Sequence, residues 1–95
     1  MIFVYAISSL NHNYIYVGQT DHVIRRLHAH NNGLEKTTRP YAPYKLIFSS
    51  ECEDRVSARY FIKYFKSSAG KRMLKAKRNE IHPTQTYSIK KTTIH

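Results

Sequence analysis

The six residues Ile2–Ile7 constrain the fold more than any other segment of the chain. They are apolar without interruption, rich in β-branched and aromatic side chains, and followed by Ser8 and Ser9. This composition predicts a β-strand, and the lack of polar alternation predicts that both of its faces are buried. A small sheet built on such a strand is stable only if helices cover it.

Two further segments complete the predicted sheet. Tyr14–Gly18 follows the turn-forming residues Asn11–Asn13, which predicts a β-hairpin with the first strand. Because side chains alternate along a strand, Tyr16 and Gly18 share one face of this hairpin. The short apolar segment Lys45–Ser49 predicts a third strand.

The first helix is predicted between the hairpin and a glycine. Thr20 or Asp21 can serve as its N-cap, and Asn32-Gly33 is a suitable stop after about Asn31. Spacing of three and four residues predicts the apolar positions that this helix buries. They are Val23, Ile24 and Leu27.

Two more helices are predicted in the second half. Asp54 is a good N-cap for the first of them. Its predicted buried stripe consists of Ala58, Phe61, Ile62 and Phe65. After an interruption at Ser67–Gly70, the segment Lys71–Lys77 predicts a short basic helix.

The predicted fold is therefore α+β: a single domain, residues 1–78, with a small three-stranded antiparallel sheet flanked by helices. Residues 79–95 are predicted to form a polar basic tail, with a short extended piece around residues 87–89.

Charge is distributed very unevenly along the chain. The net charge is +10, and residues 59–95 hold ten basic side chains and one acidic side chain. Such an excess is typical of a surface that faces a polyanion, although a merely solubilising basic face is the alternative. The expected nucleic-acid contacts are Lys63, Lys66, Lys71, Arg72, Lys75, Lys77 and Arg78.

Composition also excludes several classes of protein. With a single cysteine, Cys52, the chain cannot form an internal disulfide or a cysteine-based zinc cluster, and we expect a cytoplasmic protein. No apolar run reaches the roughly 18 residues of a membrane span, and Ile2–Ile7 is too short for a signal peptide.

Five residues form a pattern suited to phosphate chemistry. Tyr5 and Tyr16 lie on adjacent predicted strands, and Gly18 leaves room on the same face for a phosphate to approach. Arg26 and His30 are four residues apart and project from one side of the first helix. Each feature alone is more typical of strand packing or of a solvated helix face. Only the order and spacing of all five residues together indicate a site for phosphate chemistry.

That order resembles the GIY-YIG nuclease family. Val4-Tyr5-Ala6 and Tyr16-Val17-Gly18 resemble the two signature triads, and the segment Asp21–Asn31 is similar to the family's Arg-Arg-Leu-x-x-His-Asn helix. Residues 39–46 resemble the connection to the third strand. Residues 66–71 resemble a Lys-Ser-Gly-x-Gly-Arg segment of small stand-alone bacterial members. The resemblance covers residues 2–76.

The resemblance implies an activity and a role for each matching residue. The activity is that of a DNA endonuclease using Mg²⁺ or Mn²⁺, with DNA repair or recombination as the expected setting. The expected partner is DNA, and the sequence leaves open whether it is duplex, branched or single-stranded. Tyr5 would be the general base or a hydrogen-bond partner of the nucleophilic water, and Tyr16 would assist it and orient the phosphate. Arg26 would stabilise negative charge, and His30 would contact the phosphate or relay a proton. Gly18 would keep the floor of the site open.

One position departs from the family pattern. The family carries a metal-binding glutamate four residues after the alanine that matches Ala58, and here that position is Ile62. Loss of this ligand would remove several kcal/mol of transition-state stabilisation. Two interpretations follow: an endonuclease whose metal is held elsewhere, by Glu35 or Glu51, or a catalytically inactive nucleic-acid-binding module with the same fold.

Overall fold

The sheet has the predicted antiparallel topology, in the order β2-β1-β3. The structure, a computed structural model, describes residues 1–80. Its strands are β1 (Ile2–Ser9), β2 (Ile15–Thr20) and β3 (Tyr44–Cys52), and its helices are α1 (Val23–Asn31), α2 (Arg55–Phe65) and α3 (Ser68–Glu80). The predicted α+β fold class is confirmed. Helix α3 continues two residues beyond the predicted domain boundary, and the rest of the predicted tail, including the extended piece at 87–89, lies outside the described residues.

Strand β1 is the central strand and is buried on both faces, as predicted. Val4, Ala6 and Ile7 are fully buried and Tyr5 is 1% exposed. Val4 and Ala6 pack in a cluster with residues of α2 and α3, whereas Tyr5 and Ile7 pack with residues of α1. The two sides of the sheet are called the α2–α3 side and the α1 side below. Within residues 1–80, no helix is both long and apolar enough to cross a membrane.

Strand β3 contains one residue more than the segment of β1 with which it pairs. Ala6 pairs with Phe48 but Ile7 pairs with Leu46, so the register shifts between these pairs and Ile47 is the extra residue. Because side chains alternate along a strand, one extra residue reverses the face of everything beyond it. Leu46 accordingly packs on the α1 side, and Phe48 packs on the α2–α3 side.

Helix α1 begins one residue later than predicted. Its N-cap is His22, whose Nδ1 accepts a hydrogen bond from the backbone N–H of Arg25 at 3.2 Å. Neither Thr20 nor Asp21 caps the helix; the Thr20 hydroxyl instead accepts from the N–H of His22. The predicted burial of Ile24 is wrong, since it is 42% exposed and the third buried residue is His30.

Helices α2 and α3 meet at a tight corner. Asp54 caps α2 as predicted, accepting from the N–H of Ser57. The predicted interruption at Ser67–Gly70 is shorter than expected and lies at Lys66 and Ser67: the Ser67 hydroxyl accepts from the N–H of Gly70, and α3 begins at Ser68. A Cβ added to Gly70 would overlap the carbonyl oxygen of Tyr64, so glycine allows the two helices to approach closely.

The predicted buried stripe of α2 is only partly correct. Ala58 and Phe65 are buried, and Ile62 is partly buried against the cluster on the α2–α3 side. Phe61, by contrast, is 47% exposed. Its ring lies at the margin of the stripe, where helical spacing alone cannot distinguish a buried position from an exposed one.

Candidate active site

The two tyrosines of the hairpin meet over a glycine. Tyr5 lies opposite Gly18 in the pairing of β1 with β2, and the ring centroids of Tyr5 and Tyr16 are 6.2 Å apart. A Cβ on Gly18 would lie 2.9 Å from the Tyr5 phenol oxygen and 3.0 Å from the Tyr16 ring. Glycine therefore allows both rings to occupy the same small area on the α1 side. Tyr16 is half-buried and Tyr5 lies behind it.

His30 of α1 connects Tyr5 to the loop that precedes β3. Its ring is fully buried, with Nε2 lying 2.8 Å from the Tyr5 phenol oxygen and Nδ1 lying 2.7 Å from the Thr38 hydroxyl. The Thr38 hydroxyl donates in turn to the carbonyl of Glu35 at 3.5 Å. We therefore assign the Nδ1–H as the donor to Thr38 and the phenol O–H of Tyr5 as the donor to Nε2.

Two further residues hold this hydrogen-bonded chain in place. The phenol of Tyr44 donates to the carbonyl of Thr38 at 2.6 Å. The Asn31 side chain bonds both the N–H and the carbonyl of Tyr44, at 2.7 and 3.2 Å, which ties the end of α1 to the start of β3. Thr38 and Tyr44 were not predicted as site residues. Thr38 lies in an irregular loop without periodicity, so its sequence context carries no signal.

Arg26 supplies positive charge at the edge of the same site. Its Nη2 donates to the carboxylate of Glu35 at 2.7 Å, and both side chains are partly exposed, 31% for Arg26 and 42% for Glu35. The guanidinium also lies close enough to Tyr5 to affect the pKa of its phenol. Glu35 is a candidate metal ligand from the sequence, and in the structure its carboxylate is paired with Arg26.

Burial controls the proton affinities of this site. It raises the pKa of Tyr5 above 10, and the opposing effect of Arg26 is smaller. Burial, and then the positive charge of Arg26, lower the pKa of His30 below 6.5. The hydrogen bond from Arg26 lowers the pKa of Glu35. At neutral pH the site therefore holds a neutral phenol and a neutral imidazole beside an ion pair.

A groove of about 570 Å³ runs along the outer edge of β2. On the strand it is lined by Tyr14, Ile15, Tyr16 and Val17, and on the helices by Lys66, Lys71, Leu74 and Lys75. The groove thus connects Tyr16 of the candidate site with three lysines from the predicted nucleic-acid contacts.

The other predicted cationic contacts lie outside this groove. Lys63 and Arg72 are exposed, whereas Lys77 and Arg78 are partly buried. Arg78 donates to the side chain of Asn13 at 2.9 Å in the turn between β1 and β2. Arg78 therefore has a structural bond that the sequence did not indicate.

The five residues of the predicted pattern, Tyr5, Tyr16, Gly18, Arg26 and His30, lie together on the α1 side of the sheet. Residues 1–79 match the family model described as the GIY-YIG catalytic domain. The chain belongs to the GIY-YIG family. This confirms the predicted family and makes the chain a nuclease-type domain with nucleic acid as its general class of substrate. Neither curated proteins nor solved structures gave a significant match.

The divalent metal that the GIY-YIG family implies has no ligand set among residues 1–80. No cluster of three or more His, Cys, Asp and Glu side chains occurs in this part of the chain. Ile62, which the resemblance matches to the family's glutamate, is apolar and packs on the core. Glu35 is a carboxylate whose charge acts on Tyr5, and it is bonded to Arg26. These residues do not fit a metal centre of the family type.

Proposed function

We propose that the chain is a DNA endonuclease whose reaction takes place on the α1 side of the sheet, at Arg26 and the Tyr5–His30 pair. The observation that supports this most directly is the 2.8 Å contact between the Tyr5 phenol and a neutral, buried imidazole, beside a partly exposed guanidinium. A cation that binds phosphate and a proton acceptor are two of the components that phosphodiester hydrolysis requires.

Arg26 is the expected contact of the scissile phosphate. A phosphate oxygen can replace the Glu35 carboxylate, because both accept charge-assisted hydrogen bonds from a guanidinium. The pair is partly exposed, so its exchange for a phosphate costs little. Once bound, Arg26 stabilises the negative charge that develops on the phosphoryl oxygens as the transition state forms.

Tyr5 and His30 provide the proton path. As the water oxygen bonds to phosphorus and the bond to the leaving oxygen breaks, a water proton passes to the Tyr5 oxygen while the phenol proton passes to Nε2 of His30. The leaving oxygen takes a proton from solvent. A phosphate that neutralises Arg26 also removes one of the causes that lower the pKa of His30, so the imidazole becomes a better acceptor when substrate is bound.

The groove along β2 is the proposed path of the nucleic-acid backbone. Lys66, Lys71 and Lys75 line it together with Tyr16, so a strand that follows the lysines leads to the site. Such contacts provide affinity and salt dependence, and they carry no sequence information.

The use of Mg²⁺ or Mn²⁺ stays a prediction. Because the described side chains do not form a ligand set for either ion, the steps above involve only residues of the chain. A metal requirement is measured directly, by comparing cleavage in Mg²⁺, in Mn²⁺ and in EDTA.

A nucleic-acid-binding module without turnover is the second candidate function. It is favoured by Ile62, which is part of the hydrophobic packing of α2 at the position where the family has its metal ligand. Fold alone does not establish activity. In this case the lysine groove and Arg26 would bind the backbone, and the Tyr5–His30 pair would serve only to stabilise the fold.

A cleavage assay distinguishes the two candidates. The chain, Arg26→Ala and Ile62→Glu are incubated with supercoiled plasmid and with single-stranded and branched DNA, with each metal and with EDTA. Cleavage by the unmodified chain that Arg26→Ala abolishes supports the endonuclease. Cleavage by Ile62→Glu alone supports a binding module that lacks only its metal ligand. If neither protein cleaves any substrate while both bind DNA, the endonuclease proposal is wrong.

A further inference from the structure

Helix α2 exposes three aromatic rings on its outer surface. Tyr60 is 73% exposed, Phe61 47% and Tyr64 45%, and the three line one shallow apolar depression of about 380 Å³. Residues three and four apart are neighbours on a helix, so Tyr60, Phe61 and Tyr64 form a continuous patch. An exposed aromatic cluster of this kind is unusual on a small domain and is typical of a binding surface.

Positive charge surrounds these rings. Arg59, Lys63 and Lys66 line a second depression of about 540 Å³, which Tyr60 shares with the aromatic patch. The segment Arg55–Phe65 contains no acidic residue. Aromatic rings among cations match the chemistry of a single nucleic-acid strand, whose bases stack on the rings while its phosphates meet the cations.

The same surface continues into the groove along β2. Lys66 lines both the groove that contains Tyr16 and the depression beside Tyr60. A strand that follows the groove therefore reaches Lys66, and the depression that Lys66 lines also contains Tyr60 of the aromatic patch.

We propose that Tyr60, Phe61 and Tyr64 form a stacking surface for unpaired bases, and that the DNA bound here has a single-stranded segment next to the site of action. Single-stranded DNA is a substrate only if the proposed endonuclease function is correct, and in that respect the inference rests on the proposed function. Stacking of bases on these rings requires no cleavage. A duplex presents no free base faces to these rings, so single-stranded or branched DNA is favoured over duplex DNA.

A second copy of the chain fits the patch less well. Pairing of two such faces about a two-fold axis would bring Arg59, Lys63 and Lys66 of both copies together. Like charges in an interface oppose association. The charge of the patch favours a polyanion.

The test measures binding of fluorescent oligonucleotides to the full chain by anisotropy, in buffer with EDTA so that no strand is cut. The probes are a deoxythymidine oligomer, an abasic strand of equal length and charge, and a duplex.

The double variant Tyr60→Ala/Tyr64→Ala is compared with two controls. Tyr60→Phe/Tyr64→Phe keeps the rings, and Ile24→Ala removes an exposed apolar side chain from α1. We expect the alanine pair to weaken binding of the thymidine oligomer by at least about tenfold. The abasic strand and the duplex should be affected by less than about twofold, and the two controls should bind all three probes as the unmodified chain does.

Equal losses for the thymidine oligomer and the abasic strand would overturn the proposal, because the rings would then act without bases. Unchanged binding would also overturn it. If the alanine pair alters only sedimentation behaviour, the face is a contact between copies; if it alters only the melting temperature, the rings pack within the chain. Ring-dependent binding by a chain that cuts no DNA would support this inference and leave the proposed endonuclease wrong, so the two can fail separately.

Discussion

The phenol oxygen of Tyr5 lies 2.8 Å from Nε2 of His30, although 25 positions separate the two residues in the sequence. This bond joins the central strand to α1 across a buried interface, so the hydroxyl of Tyr5 contributes to stability as well as to the proposed chemistry. Tyr5→Phe therefore affects two measurable quantities at once.

Tyr5→Phe should abolish cleavage and reduce the free energy of unfolding by about 1–3 kcal/mol, since Nε2 of His30 would be left buried without its donor. Circular dichroism and urea unfolding measure the second effect. Tyr60→Phe, which removes a hydroxyl from an exposed ring, is the matched control and should change neither quantity. Retained cleavage in a folded Tyr5→Phe protein would exclude Tyr5 from the proton path.

Stability should fall as the pH is lowered through the range where His30 titrates. The pKa of His30 in the folded chain is below the value of about 6.5 in the unfolded chain, so the unfolded state takes up the proton first. The free energy of unfolding then decreases by at most about 1.4 kcal/mol for each pH unit below about 6.5, until the folded state titrates too. This decrease should be absent from His30→Asn. Parallel slopes of unfolding free energy against pH in the two proteins would contradict the assignment.

Glu35→Gln should tighten DNA binding. The substitution removes the negative charge that competes with a phosphate for Arg26, and because the pair is partly exposed the gain should be about two- to fivefold in Kd. Glu51→Gln removes an exposed carboxylate from β3 and serves as the control. Weaker binding by Glu35→Gln would mean that Glu35 orients Arg26 and does not compete for it.

Charge reversal in the groove should weaken DNA binding and reduce its salt dependence. Lys71→Glu with Lys75→Glu removes two cations that line the groove, and each lost phosphate contact should lower the slope of log K against log salt by about 0.9 for duplex DNA. Reversal of Arg72, a predicted contact outside the groove, should have a smaller effect. Ala76→Glu adds a negative charge to an exposed α3 position that does not line the groove. If Ala76→Glu weakens binding as much as the lysine variants, net charge and not position determines affinity.

Gly70→Ala should destabilise the chain by about 1–3 kcal/mol, as expected when a close packing contact is overfilled. The added methyl would overlap the backbone of Tyr64 at the corner between α2 and α3. Ala69→Ser, at the exposed neighbouring position, is the control for a small change in the same turn. Equal melting temperatures for Gly70→Ala and the unmodified chain would show that the corner can relax.

The sequence correctly predicted those parts of the molecule in which a local pattern is compatible with only one type of secondary structure. An uninterrupted apolar run identified β1, and an aspartate before an apolar stripe identified the start of α2. Periodicity could not assign the margins of a stripe, so Ile24 and Phe61 were predicted to be buried and are exposed.

Contacts made by irregular segments could not be predicted from the sequence, for a different reason. Thr38 binds His30, and Glu35 binds Arg26, because a loop returns to α1. Nothing in the composition of that loop specifies its path. The family resemblance located Tyr5, Arg26 and His30, but the order of their hydrogen bonds and the burial that keeps His30 neutral came only from the structure.

The extra residue in β3 makes the length of that strand as important as its composition. Leu46 and Phe48 lie on opposite sides of the sheet because Ile47 shifts the register between them. Deleting Ile47 would make Leu46 and Phe48 direct neighbours, and neighbours in a regular strand face opposite sides, so both would keep the side they have. Deleting a paired residue beyond it, such as Ser49, would instead turn Cys52 towards α1 and remove it from the cluster on the α2–α3 side. A conservative substitution changes one side chain, whereas that deletion would reverse the faces of the end of the strand. Related chains that keep this core should therefore vary in length at Ile47 or within their loops.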